Sequence, residues 1–245
     1  MQAMIETARV SYSMLRWLIL SPWMMFRIAY LAPDFSAGRQ VLIDSALRML
    51  RVCRFEVVTK GAPPSIGSGC VLCYNESSFA DVFAIVGTVF PFVDHATAAD
   101  VFGKIPFARL AQKRIAIHLV RRGNRAATDA LIDEMVVQLR DGQRVCWGGE
   151  GRQSGVDGIG HFKIGASLVA IRAQVPIVPV VVHGGHRRLR SGTFRARPGQ
   201  IVVTYGEPVS TTGLTEADAR NFTDQLRDRF VAIYNAVDEE LAITA

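Results

Sequence analysis

Cysteine is scarce in this sequence, and its positions do not suggest a disulfide or metal framework. The chain has 245 residues and four cysteines: Cys53, Cys70, Cys73 and Cys146. Cys70 and Cys73 form a C-x-x-C pair, but they lie in the apolar run 70–74, which is predicted to be a strand. Residues three apart on a strand point to opposite faces, so redox pairing or shared metal binding is not expected. We expect buried, reduced cysteines.

Low-complexity tracts, internal repeats and long linkers are missing as well. No Gly-, Ser- or Pro-rich stretch divides the chain, and 49% of the residues are hydrophobic, which is enough for a large core. We predict an α/β domain over residues 55–245, preceded by a membrane-associating segment of helices over residues 1–54.

The N-terminal segment lacks the uninterrupted apolar run of a membrane span. Only ten residues separate Arg16 from Arg27, and Ser21 and Pro22 lie among them, whereas a span needs about 20 predominantly apolar residues. A signal peptide is not favoured, because no basic region precedes the run and no convincing cleavage site follows. Two tryptophans with nearby arginines are typical of amphipathic helices in the headgroup layer. The alternative is a hydrophobic helix packed on its own domain.

A basic stripe interleaved with aromatic residues is also absent, so nucleic acid is not an expected partner. The net charge of +6 instead fits an anionic membrane surface or an anionic substrate. Together with the interfacial helices, this charge predicts a protein that is peripheral on the cytoplasmic face of a membrane.

Strand-like and helix-like segments alternate along the rest of the chain. Strands are predicted at 55–59, 70–74, 115–120, 145–147, 175–182 and 201–205. Helices are predicted at about 8–32, 38–54, 81–90, 126–140, 162–173 and 217–241, and helix or loop at 92–107. This order predicts a mostly parallel α/β sheet wrapped by helices. Ligands gather at the carboxyl ends of such strands, where residues 76–81, 121–125 and 148–154 fall.

The stretch from Val71 to Asp81 carries the candidate chemistry. It is predicted to be a strand, a tight turn and the start of a helix. Glu76 on the turn and Asp81 in the first helical turn could face one spot and handle a proton. Ser78 and Asp81 also match the S-x-x-D pattern of a capping box, so a purely structural role for Asp81 stays open.

Motifs along the chain give it a resemblance to the glycerolipid, or 1-acylglycerol-3-phosphate (lysophosphatidic acid type), acyltransferases from about residue 40 to 210. The matching segments are Asn75–Asp81, Leu119–Arg125, Gly148–Ser154, Phe162–Ala166, Val175–Pro179 and Tyr205–Pro208. The resemblance implies the α/β fold of that family and an O-acyltransferase of phospholipid biosynthesis. It would move an acyl chain from acyl-CoA or acyl carrier protein to a hydroxyl, or an amine, of a lysophospholipid-like acceptor. No metal and no cofactor besides that donor substrate are implied.

The same resemblance assigns the candidate site residues. Glu76 and Asp81 occupy the catalytic positions of the first motif. Substrate binding is assigned to Asn75, Ser78, Arg122, Arg125, Gly149, Glu150, Gly151, Arg152 and Lys163. Guanidinium groups bind phosphate bidentately, and glycines let backbone N–H groups point at an anion.

Several positions depart from the family pattern, and the third motif has Gly148-Gly149 where the family has Phe-Pro. Glu76 stands where the family has histidine as its proposed general base, and Gln153 stands at the usual arginine of the third motif. Glutamate has an ordinary pKa of ~4.3 against ~6.5 for histidine, but burial and the nearby Asp81 would raise it. The alternatives are another base, a catalytically silent member that binds lipid or acyl chains, and an acyltransferase for a non-phospholipid acceptor.

The histidines are expected to have structural or solvated roles. His118 lies in an apolar run and is expected to be a satisfied core residue. His183 and His186 stand beside Arg187, Arg188 and Arg190, which is typical of a solvated basic loop.

Overall fold

A computed structural model describes residues 2–63, 69–193 and 196–243, with side chains from residue 8 onward. The α-helices in these ranges are α1 Gln2–Phe26, α2 Phe35–Cys53, α3 Phe79–Thr88, α4 Ala108–Arg114, α5 Arg125–Arg140, α6 Gly165–Ala173, α7 Gly185–Arg188 and α8 Ala219–Ile243. The strands are β1 Phe55–Lys60, β2 Cys70–Tyr74, β3 His95–Ala99, β4 Ile117–Val120, β5 Arg144–Gly148, β6 Ile177–His183 and β7 Gly199–Tyr205.

The strands form one sheet in the order β1-β7-β6-β2-β5-β3-β4. Neighbouring strands are parallel except β6 and β7, which are antiparallel. The predicted mostly parallel α/β sheet wrapped by helices is therefore confirmed. Because β2, β5, β3 and β4 run in the same direction, the segments that follow β2, β4 and β5 meet at one edge of the sheet.

The central strand β2 shows how the sheet separates two cores. All five of its residues are buried. Cys70 and Leu72 belong to the core that α1 to α4 cover, and Val71 and Cys73 belong to the core beneath α5, α6 and α8. The cysteines are free and buried, as expected. Burial raises the pKa of the Cys70 thiol to about 11, which leaves little reactive thiolate.

Residues 92–107 differ from the predicted helix or loop, because they contain β3 and a 3₁₀ turn, Asp100–Lys104. The sequence His-Ala-Thr-Ala-Ala of β3 has no branched apolar residue and only weak strand propensity. Pairing with β4 on one side and β5 on the other extends it. The strand predicted at 115–120 begins at Ile117, since Ile115 is the C-cap of α4.

The N-terminal helix continues through Pro22, where its pattern suggested an interruption. Proline has no N–H to donate to the carbonyl four residues earlier, and that carbonyl, of Leu18, accepts a 2.8 Å hydrogen bond from the Ser21 hydroxyl instead. The chain then makes a π-helical turn, Arg27–Leu31, and Asp34 caps α2.

Helices α1 and α2 pack on the domain with some of their residues and expose others to solvent. Val10, Met14 and Leu50 belong to the core, while Ile19 is 67% exposed and Trp23 is 56% exposed. None of the helices in the described parts of the chain is long and apolar enough to cross a membrane.

Candidate active site

A cavity of about 940 Å³ lies at the carboxyl edge of the sheet, beneath α1 and α3. Its inner wall is apolar and includes Trp17, Met24, Met25, Leu42, Val86, Phe83, Phe90, Phe102 and Ile105, with the small Ala98 and Ala99 of β3. Its mouth is polar and includes Glu76, Arg122, Asn124, Arg125, Glu150, Arg152, Lys163 and Arg220. One space therefore combines an apolar wall with a charged one.

Glu76 follows β2 and is one of the residues that line this cavity. Burial raises the pKa of its carboxyl group to about 7, and the charge of Asp81 raises it further, while a hydrogen bond from Gln153 and the charge of Arg122 act in the opposite direction. A carboxyl group whose pKa is raised in this way can both accept and release a proton near neutral pH.

Asp81 lies behind Glu76, fully buried and outside the cavity lining. Its Oδ2 accepts hydrogen bonds from Ser77 N at 2.6 Å, Ser77 Oγ at 2.6 Å and Ser78 N at 2.9 Å. With Ser78 it forms the capping box of α3. Burial raises the pKa of Asp81 to about 6 despite these hydrogen bonds. The arrangement fixes the turn that carries Glu76.

Three of the assigned binding residues also lie behind the cavity lining and hold the backbone. The Asn75 side chain donates to Val182 O at 2.9 Å and accepts from Val182 N at 2.8 Å, which joins the ends of β2 and β6. Ser78 accepts from Ala80 N as the cap of α3. A Cβ on Gly149 would lie 2.8 Å from the Phe162 ring, so only glycine fits there.

The other assigned residues meet at the mouth. Arg122, Arg125, Arg152 and Lys163 line it with largely exposed side chains. Gly151 has a φ of +67°, which lets the loop after β5 turn without steric strain. Glu150 is buried in this loop, and its Oε1 accepts from Gly160 N at 2.8 Å.

Glu150 is a second carboxyl group with an elevated pKa. Burial raises its pKa to about 7, the charges of Asp81 and Glu76 raise it further, and the hydrogen bond from Gly160 lowers it. The mouth therefore combines exposed cations with two carboxyl groups whose pKa values are raised by burial.

Gln153 and Arg220 are among the residues near the site that were not assigned from the sequence. Gln153 hydrogen-bonds the Glu76 carboxyl group, and its departure from the family motif is the signal that could have drawn attention to it. Arg220 reaches the mouth from the first turn of α8. Nothing in its surrounding sequence distinguishes it from a solvated helix residue.

The histidines lie outside the cavity lining. His118 Nε2 is 3.0 Å from His95 Nδ1, and its Nδ1 is 3.5 Å from Glu134, in agreement with a satisfied residue of the sheet. The prediction of a solvated basic loop around His183 is wrong in part. His183 is buried and lies 3.2 Å from Asp238, because α8 packs over the end of β6.

Comparison with known proteins assigns the sequence to a family. The sequence model of the family described as Acyltransferase matches residues 54–183. The chain belongs to the acyltransferase family. The crystal structure of the 1-acyl-sn-glycerophosphate (LPA) acyltransferase PlsC from Thermotoga maritima superposes with a TM-score of 0.68 and 21% identity, over 96% of this chain and 97% of that one. This likeness concerns the fold.

Relatives by sequence carry related names. A Caenorhabditis elegans protein, provisionally named 1-acyl-sn-glycerol-3-phosphate acyltransferase acl-2, is 28% identical over 71% of this chain and 62% of its own length. The 1-acyl-sn-glycerol-3-phosphate acyltransferase of Limnanthes alba is 34% identical over 39% of this chain and 34% of its own. The chain thus spans between one third and two thirds of these relatives.

Proposed function

We propose that the protein is a peripheral membrane O-acyltransferase that moves an acyl chain from a thioester donor to the hydroxyl of a lysophospholipid-like acceptor. The observation that carries the proposal is that one cavity is lined both by apolar side chains and by charged ones, Glu76 among them. The interior suits an acyl chain, since burial of each CH₂ contributes about 0.8 kcal/mol. The names of the relatives support the same reaction.

Glu76 is the proposed general base. Its carboxylate takes the proton of the acceptor hydroxyl as the oxygen attacks the thioester carbonyl. The new C–O bond forms, the C–S bond breaks, and the thiol leaves with the proton that Glu76 returns. A group with a pKa of about 7 suits this exchange, because a base is most effective when its pKa lies near the working pH.

The cations at the mouth are the proposed anchors for phosphate. Arg122, Arg125, Arg152 and Lys163 lie together around Glu76 and Glu150. Phosphate groups occur on a lysophospholipid acceptor and on both proposed donors, acyl-CoA and acyl carrier protein. Guanidinium groups bind such oxygens in pairs, and Glu150, which lines the same cavity, is the proposed acceptor of hydrogen bonds from acceptor hydroxyls.

Turnover assays test the reaction. Purified protein is offered acyl-CoA and acyl carrier protein donors with lysophospholipid, non-phosphate and amine acceptors, alongside Glu76→Gln and Glu76→His variants. We expect turnover by the natural protein and a loss of at least 100-fold in Glu76→Gln, in line with removal of a general base. A fully active Glu76→Gln would exclude Glu76 as the base. Turnover by Glu76→His alone would instead identify the natural chain as a lipid-binding member without catalysis.

The apolar outer face of α1 supports attachment to a membrane surface. Leu15, Ile19 and Trp23 are exposed along it. The aromatic rings of Trp23, Phe26, Tyr30 and Phe107 lie in contact beside it, with centroids 5.1–6.1 Å apart. Such a face enters the headgroup layer, and nearby arginines meet anionic lipid. The proposed location is the cytoplasmic side, where CoA and carrier-protein thioesters are made.

Vesicle binding tests the attachment. Deletion of α1 would also remove core residues such as Met14 and Met25, so exposed positions are the better target. We expect the double variant Ile19→Ser/Trp23→Ser to lose most binding to vesicles containing anionic phospholipid, with its thermal stability unchanged. The same double change at the exposed Val137 and Val156 is the control. Equal vesicle binding by all three proteins would contradict the proposed attachment.

A further inference from the structure

The loop after β5 folds back over Glu76 and holds it at two points. Ser154 N donates a 2.8 Å hydrogen bond to the Glu76 backbone carbonyl. This bond brings the preceding residue, Gln153, beside Glu76, and the Gln153 side chain lowers the pKa of the Glu76 carboxyl group as a hydrogen-bonding neighbour. Adjacent residues of one loop therefore contact both the main chain and the reactive end of Glu76.

The far side of the Gln153 amide has its own partner. The Ser191 hydroxyl, in the turn that follows α7, donates to Gln153 Oε1 at 3.4 Å. Because the oxygen accepts from Ser191, we infer that Nε2 is the amide atom that faces Glu76. An amide nitrogen can only donate, and an ionised carboxylate can only accept, so this orientation favours the ionised form of Glu76.

We propose that Gln153 is the positioning residue of Glu76: a neutral donor, oriented by Ser191, that holds the carboxylate ready to accept a proton. The inference rests on the proposed role of Glu76 as the base. A neutral donor differs from a cation in its consequence for catalysis. A cation at position 153 would stabilise the carboxylate so strongly that it would become a weaker base.

Other charged and titratable groups also face Glu76, from each element around it. Tyr74 ends β2, Asp81 begins α3, Arg122 follows β4, and Glu150 lies in the glycine-containing loop. Burial and Asp81 raise the pKa of Glu76, and Gln153 and Arg122 lower it. Removing the amide or replacing it with a cation should therefore move that pKa in opposite directions.

The test compares Gln153→Met with Gln153→Arg in the full-length protein, using kcat/KM measured from pH 5 to 8.5. We expect Gln153→Met to move the acid limb of the profile up by about one pH unit, with about tenfold lower activity at pH 6 and near-normal activity at pH 8.5. Gln153→Arg should move the limb down by about one unit and lower the plateau. Ser191→Ala should move it up by a smaller amount, and Gln225→Met on the exposed face of α8 should not move it.

A direct measurement of the Glu76 titration distinguishes failure of this proposal from failure of the proposed function. The ¹³C signal of the Glu76 carboxyl group, assigned by its loss in Glu76→Gln, gives the midpoint in each variant without any need for turnover. Unchanged midpoints in both Gln153 variants would overturn the positioning role, as would an equal loss of activity at every pH. Full activity in Glu76→Gln would instead overturn the base assignment, whatever the Gln153 variants show.

Discussion

Replacing Glu76 with glutamine should stabilise the protein at pH 8, although the same change is expected to stop catalysis. The folded protein holds the Glu76 proton up to a pKa of about 7, whereas the ordinary value is 4.5. The raised pKa therefore lowers the free energy of unfolding progressively as the pH rises from about 4.5 through 7. Each pKa unit corresponds to about 1.4 kcal/mol, so the upper limit of the penalty is about 3 kcal/mol.

The expected gain is smaller than that limit, because Glu76 lines a cavity whose mouth reaches solvent. We expect about 1–2 kcal/mol after solvent screening. For a chain of this length, that corresponds to a rise in Tm of roughly 3–6 °C. Glutamine keeps the shape of the side chain and its acceptor oxygen, so little of the change comes from packing.

Thermal unfolding at pH 5 and pH 8 measures the effect. The Tm of Glu76→Gln should exceed that of the natural protein clearly at pH 8 and much less at pH 5. Glu239→Gln, on the exposed face of α8, should leave Tm unchanged at both values. A Glu76→Gln protein that is less stable at pH 8, or equally more stable at both pH values, would refute the reasoning from burial.

Three further outcomes follow from contacts in and around the cavity. Arg122→Ala should raise KM for an anionic acceptor at least tenfold, as expected for loss of a charge-assisted pair. Arg121 is exposed and lies outside the lining, so Arg121→Ala should change KM little. Steady-state kinetics of the two variants in parallel would contradict the prediction if their KM values were equal. Ala98→Phe places a ring in the apolar wall, so kcat/KM across an acyl-CoA series should fall for long chains and hold for short ones; a uniform loss would mean that Ala98 lies away from the chain. Asn75→Ala leaves both polar groups of Val182 without their side-chain partner, and urea denaturation should show a loss of roughly 2–4 kcal/mol.

The elements predicted correctly from the sequence are those whose own residues favour one type of secondary structure. Strand β2 coincides with the predicted 70–74, since five buried residues in a row admit few alternatives. Strand β3 was missed because its alanines become a strand only between β4 and β5. The continuity of α1 through Pro22 depends on a hydroxyl donated to Leu18 O, and the usual rule for proline does not include that local replacement.

The site could be located from the sequence more readily than its parts could be assigned. The carboxyl ends of parallel strands predicted where Glu76, Arg122 and Glu150 would meet, and the structure places all three on the cavity. Asp81 and Asn75 follow the same strand, yet both are turned into the fold. Which side of a turn a polar group faces depends on packing that no local pattern encodes. The roles assigned to these residues in catalysis and binding stay predictions.

The position of α1 couples membrane binding on its outer face to occupancy of the cavity on its inner face. Trp17, Met24 and Met25 form part of the cavity wall, while Ile19 and Trp23 point away from the domain. A bilayer bound to the outer face would be separated from an acyl chain inside by little more than the diameter of one helix, about 10 Å. If docking shifts this helix, it changes the affinity of the cavity for its chain. Thermodynamic reciprocity then requires a filled cavity to change membrane affinity by the same factor.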